Sequence, residues 1–96
     1  MNKLIVGNLK MNLLTIVERD RYLESLKNEI KGKDLANCEI VLCPPSIHLE
    51  SFVEKTEDED FAVGAQNIFW EERGSYTGEI SAAMVKNVGA QYVIVG

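Results

Sequence analysis

The sequence predicts an α/β fold on a parallel sheet, with four strands and three helices alternating along 96 residues. Three observations predict it. Short apolar runs recur at intervals along the chain. They are continuous, not alternating, as in strands buried on both faces. Between them lie stretches whose apolar residues recur at helical spacing. Right-handed crossovers then follow almost by default. Two architectures satisfy this order: an open doubly wound sheet, or part of a (β/α)8 barrel. Periodicity does not separate them.

The first strand is Leu4-Ile5-Val6-Gly7. Thr15 and Glu18 then fit a capping box, in which the Thr hydroxyl serves one orphan amide and the Glu returns to the cap. Ile16, Leu23, Leu26 and Ile30 form the inward stripe of the first helix. Arg19, Asp20, Glu24 and Lys27 occupy the face between, and Gly32 is the stop. Glu39 to Cys43 is the second strand, ended by Pro44-Pro45, since proline gives nothing to a ladder. Ser46 is the expected cap of a second helix through Lys55, with Ile47, Phe52 and Val53 inward. The run Glu57 to Asp60 reads as a solvated turn, and Phe61 to Ala65 as the third strand.

A longer loop spans Gln66 to Gly78. Loops of that length in compact domains are usually functional or disordered, and Phe69, Trp70 and Tyr76 disfavour disorder. Phe69 and Trp70 read as loop packing or interface. Ser81 is the cap of a third helix with Met84, Val85 and Val88 inward and Gly89 at its end. Tyr92 to Val95 is the fourth strand.

Composition narrows the partners. Apolar residues make up 46% and charged residues 26% of the chain, the balance of one soluble globular domain. The net charge of -5 disfavours nucleic acid and anionic membranes, which recruit Lys and Arg. It leaves room for a small phosphorylated substrate, which one lysine can serve. No apolar stretch reaches the length a bilayer needs. Cys38 and Cys43 flank one strand whose span, roughly 16 Å, exceeds the roughly 7 Å that a disulfide tolerates. Both are expected as free thiols, which suits a reducing cytoplasm.

In either architecture ligands sit at the carboxyl ends of the strands. After the first strand stands Gly7-Asn8-Leu9-Lys10-Met11-Asn12. Residues two apart on a strand share a face, so Asn8 and Lys10 are candidates to face one mouth together. There an ammonium attracts an anion and stabilises developing negative charge. The same residues also fit a solvated loop lysine and a turn former. No glycine-rich phosphate loop follows this strand, which counts against an open-sheet nucleotide binder. His48, the lone histidine, falls early in the second helix and reads as a surface or cap-adjacent residue. Glu71 and Glu72 read as solvated. Glu79 opens the third helix, where a carboxylate favours the dipole.

Gly7-Asn8-Leu9-Lys10-Met11-Asn12 resembles the opening signature of the triosephosphate isomerase family. Cys43 to Ile47, Gly64 to Asn67, Tyr76 to Met84 and Gly89 to Gly96 are similar to its later segments, in the same order. The resemblance covers essentially the whole chain. It implies the N-terminal half of a TIM (β/α)8 barrel: four parallel strands with three intervening helices, residues 1–96 forming a single partial domain. It implies that Lys10 is the catalytic and substrate-binding lysine and Asn8 the substrate-binding asparagine beside it. It places Thr77 at the tip of a loop that reaches a second subunit, with Gln66, Asn67 and Glu79 near the same homodimer contact. Leu9 departs from the tryptophan usual in the family.

The resemblance further implies a glycolytic and gluconeogenic enzyme of the cytoplasm. Its reaction interconverts dihydroxyacetone phosphate and D-glyceraldehyde 3-phosphate by proton transfer through an enediolate. No metal or organic cofactor is implied. The family's electrophilic histidine would follow directly after Gly96, and its general-base glutamate lies on a later strand, so the 96-residue chain alone is expected to be inactive. It is also expected to be marginal, with two open strand edges inviting association. A non-catalytic half-barrel acting as an assembly or binding module is the alternative. A coding frame continuing with His and then Ser-Glu-Arg favours the enzyme, and a stable folded product ending at Gly96 favours the module.

Overall fold

The computed structural model describes residues 2–96. Four strands, β1 (Lys3–Asn8), β2 (Cys38–Cys43), β3 (Phe61–Ala65) and β4 (Tyr92–Val93), form one sheet in the order β1-β2-β3-β4. Every neighbouring pair is parallel. This order separates the two architectures that the sequence left open. A doubly wound sheet reverses its strand order at a switch point, whereas a barrel adds each strand beside the last. The strands form a curled half-barrel. Consistent with that, the Tyr92 phenol on β4 reaches across β3 to the Glu39 carboxylate on β2. Side chains from alternate strands meet in this way inside a barrel.

Between the strands run α1 (Ile16–Ile30), α2 (Leu49–Lys55) and α3 (Ala82–Asn87). Thr15 caps α1, its hydroxyl accepting from the Glu18 amide at 3.0 Å, while the Glu18 carboxylate accepts from the Leu14 amide at 2.7 Å. The capping box is thus present, one residue wider than its usual form. Ser81 caps α3 through the Met84 amide at 3.3 Å. Gly89 ends that helix with φ of +103°, and a Cβ there would lie 2.7 Å from Val53 Cγ1. A side chain would meet both backbone strain and a clash.

The core lies between β2 and β3 and the helices, where Leu23, Leu42, Leu49, Phe52, Val63, Ala65, Val85 and Ala90 are buried together. Tyr22 of α1 stacks on Phe52 of α2 at 6.2 Å. Close approach within the sheet depends on Gly64. A Cβ there would lie 2.9 Å from Cys43 Sγ and 3.1 Å from Tyr92 Cβ. Cys38 and Cys43 are free thiols.

Several sequence expectations need correction. Ile16, Ile47 and Met84 were expected inward but are exposed. Ile16 is the first residue of α1, before the helix reaches the core. Its inner face runs instead through Arg19, Tyr22, Leu23 and Leu26, so Arg19 leaves the expected solvent face and donates to Ser51 Oγ on α2 at 3.0 Å. Ser46 does not cap α2 with its side chain. After Pro44-Pro45 the chain makes a tight 3-10 turn, Ser46–His48. That turn sends Ile47 outward and buries His48 and Leu49. Met84 precedes Val85 on the side turned toward the 66–81 loop. β4 ends at Val93, not Val95, because beyond it only the Ile94 amide finds a strand partner, the Ala65 carbonyl at 3.0 Å.

Candidate active site

Parallel register brings the strand ends level: Asn8 pairs with Cys43, and Ala65 with Val93. The segments after them therefore form one rim. The first segment is the loop after β1. It begins as continued strand, with the Leu9 amide bonding the Cys43 carbonyl at 3.1 Å. It then turns sharply at two non-glycine residues with positive φ, Lys10 at 56° and Leu13 at 66°. Left-handed backbone costs such residues about 1–2 kcal/mol each.

Hydrogen bonds hold this turn. Asn8 Oδ1 accepts from the Lys10 amide at 2.9 Å, and Asn12 Nδ2 donates to the Leu9 carbonyl at 2.6 Å. Gln66, directly after β3, donates both hydrogens of Nε2, one to the Lys10 carbonyl and one to the Cys43 carbonyl, each at 2.9 Å. His48 Nε2 donates to the Leu13 carbonyl at 2.7 Å. Its Nδ1 is buried with no partner among the described residues. A carbonyl only accepts, so Nε2 carries the proton.

Asn8 and Lys10 are in contact, though not as two side chains sharing a face of the strand. β1 ends at Asn8, and Lys10 lies beyond it in left-handed backbone. The contact between them joins the Asn8 side chain to the Lys10 main chain, and Lys10 is exposed. His48, read as a surface or cap-adjacent residue, is buried and stands at the N-terminal cap position of α2, so the cap-adjacent reading holds and the surface one does not. Gln66, Asn67 and Glu79 line one cleft with Ser46 and Gly78, and Thr77 is exposed in the adjoining turn. The loop base is closed by the Phe69 amide on the Ile80 carbonyl at 2.7 Å. Phe69 packs on Tyr76 at 4.6 Å, and Trp70 stands exposed beside them.

The roles of Gln66 and His48 at the Lys10 loop were missed from sequence. Position alone could have pointed to Gln66, since it follows its strand as Lys10 follows the first. Among the described residues no cluster of His, Cys, Asp and Glu is arranged to hold a metal ion. Among those residues, too, no helix is long and apolar enough to cross a membrane. Burial pushes the Cys43 thiol upward, partly offset by the Gly64 amide, so this rim thiol stays protonated near neutrality.

The triosephosphate isomerase family model matches residues 3–96. The chain belongs to the triosephosphate isomerase family. It is 43% identical over 93 residues to the triosephosphate isomerase of Clostridium novyi, a match covering 97% of this chain and 36% of that protein. It is 42% identical to that of Bacteroides fragilis and 40% identical to that of Moorella thermoacetica, with the same coverage. The chain thus spans about a third of the length of the triosephosphate isomerases it matches, their N-terminal portion.

Proposed function

We propose that this chain carries the lysine-bearing wall of a triose-phosphate isomerase site. Lys10 binds the anionic substrate and stabilises charge on its oxygen as an enediolate forms, and Asn8 helps to orient it. The observation that carries this reading is the turn at the strand rim, which holds Lys10 in left-handed backbone beside Asn8. Family membership supports a triose phosphate as the substrate class; our reading takes it to be dihydroxyacetone phosphate and D-glyceraldehyde 3-phosphate, interconverted in glycolysis and gluconeogenesis in the cytoplasm. The cleft formed by Gln66, Asn67 and Glu79, with Thr77 beside it, is the proposed contact of a homodimer.

Moving a proton between adjacent carbons also needs a general base and an electrophile. We assign neither to these 96 residues, so the chain alone binds without turning over. Titrating the chain with dihydroxyacetone phosphate tests the binding. Lys10→Ala is expected to weaken affinity about tenfold or more, the scale of one charge-assisted contact. Equal affinity in the two proteins removes Lys10 from the site.

A further inference from the structure

We infer that Gln66 and His48 are positioning residues for Lys10, holding the two left-handed residues of its loop by their carbonyl oxygens. The inference rests on the reading of Lys10 as the ligand-binding residue. The coincidence behind it is specific. Lys10 and Leu13 are the non-glycine residues with positive φ among those described. The Lys10 carbonyl is taken by Gln66 and the Leu13 carbonyl by His48, each from a different neighbouring strand end. Residues held in sparsely populated backbone persist only when their surroundings over-determine them, and here each has its own tether.

The chemistry of each tether is narrow. Gln66 spends both amide hydrogens, one on the Lys10 carbonyl and one on the end of β2. Glutamate has the same length but cannot donate at neutral pH, and asparagine is one methylene short. His48 leaves Nδ1 buried and unpaired, a cost that an apolar side chain of its shape would avoid. What the imidazole supplies in return is the bond to Leu13. With both ends of the loop fixed, the Lys10 ammonium starts from a restricted set of positions and loses less freedom when an anion arrives.

Backbone Cα and Cβ chemical shifts of the isotope-labelled 96-residue chain test this, with inorganic phosphate as the probe ligand. The wild-type shifts should report left-handed backbone at Lys10 and Leu13. Gln66→Leu should abolish the signature at Lys10 and weaken phosphate binding about three- to tenfold, with β2 and β3 amide shifts retained. His48→Leu should abolish it at Leu13, and His48→Gln, which restores a donor near the Nε2 position, should recover it. Persistence of both signatures in both Leu variants overturns the inference. So does a wild-type spectrum without them, an unfolded chain included.

Should the Leu variants unfold, the wild type decides. Exchange-protected Gln66 side-chain and His48 Nε2 protons, close to Met11 and Leu14, uphold the tethers, and free exchange overturns them. If Lys10→Ala leaves phosphate affinity unchanged while the backbone signatures respond as stated, the tethers stand and the reading of Lys10 as the anion ligand falls.

Discussion

Gly64 shows how a single residue sets the sheet's geometry. Its missing Cβ lets Cys43 Sγ and Tyr92 Cβ close from either side, within 2.9 and 3.1 Å of where that atom would be. Gly64→Ala is therefore expected to cost about 1–3 kcal/mol, the range for overpacking a fitted interior, read as a lower urea midpoint. Asp20 gives a pH-dependent counterpart. Its hydrogen bond from Arg19 holds its carboxyl below the ordinary range, with Lys55 3.7 Å away adding to the effect. A carboxylate depressed in the folded state stabilises above its unfolded pKa. That contribution is lost as pH falls through the folded value. The urea midpoint should fall below about pH 4, and Asp20→Asn should remove part of that fall. At this scale the sequence was least legible. Lys10 and Asn8 were legible as candidates because they stand at the end of an apolar strand and just beyond it. The burial of His48 depends on a tight turn after two prolines, and Arg19's inward course on where Ser51 falls in α2. Neither leaves a mark in local pattern.

Elements were far more legible, because each is written in local chemistry. Thr15 and Glu18 announced the start of α1, and the two side chains do hold that terminus. Thr15→Ala should destabilise the chain by about 1 kcal/mol, measured by thermal or urea unfolding, with the loss of far-UV helical signal confined to the transition. The continuous apolar character of Ile40 to Cys43 and Phe61 to Ala65 marked strands of a parallel sheet covered on both faces. β2 and β3 are those strands, and the residues of their C-terminal halves are the buried ones. The misplaced inward residues, Ile16, Ile47 and Met84, all lie at or near helix beginnings. There the periodicity has not yet been fixed by packing, so spacing alone cannot say which side will meet the core.

The whole molecule is an open shell. Its radius of gyration is 14.0 Å, with extents of 47 × 35 × 22 Å, against about 12.5 Å for a compact chain of this length. β1 has one strand neighbour, and Leu4, Ile5 and Val6 are each about half exposed. Consecutive strand residues face opposite sides, so neither face of β1 is fully covered. An apolar hollow lined by Ile68, Ala82, Val85 and Val93 lies beside the opposite edge. Unpaired strand edges of this kind template association. Light scattering of the purified chain should show growth with concentration, and Ile5→Lys, which places a charge on the open edge, should reduce it. Sequence periodicity could not tell barrel from open sheet, because both use the same βα units. Strand order decides between them, and that is a property of the assembled molecule.

At this same scale lies the proposal on which the account depends: Lys10 of this chain holds the anion, and none of these 96 residues moves the proton. One sample tests it, dihydroxyacetone phosphate with the 96-residue chain in heavy water, followed by phosphorus and proton resonance. The phosphorus signal should shift or broaden with wild type and not with Lys10→Ala, while the substrate's carbon-bound protons exchange at the protein-free rate. An unmoved phosphorus signal with the wild type, or deuteration well above the protein-free rate, would contradict it.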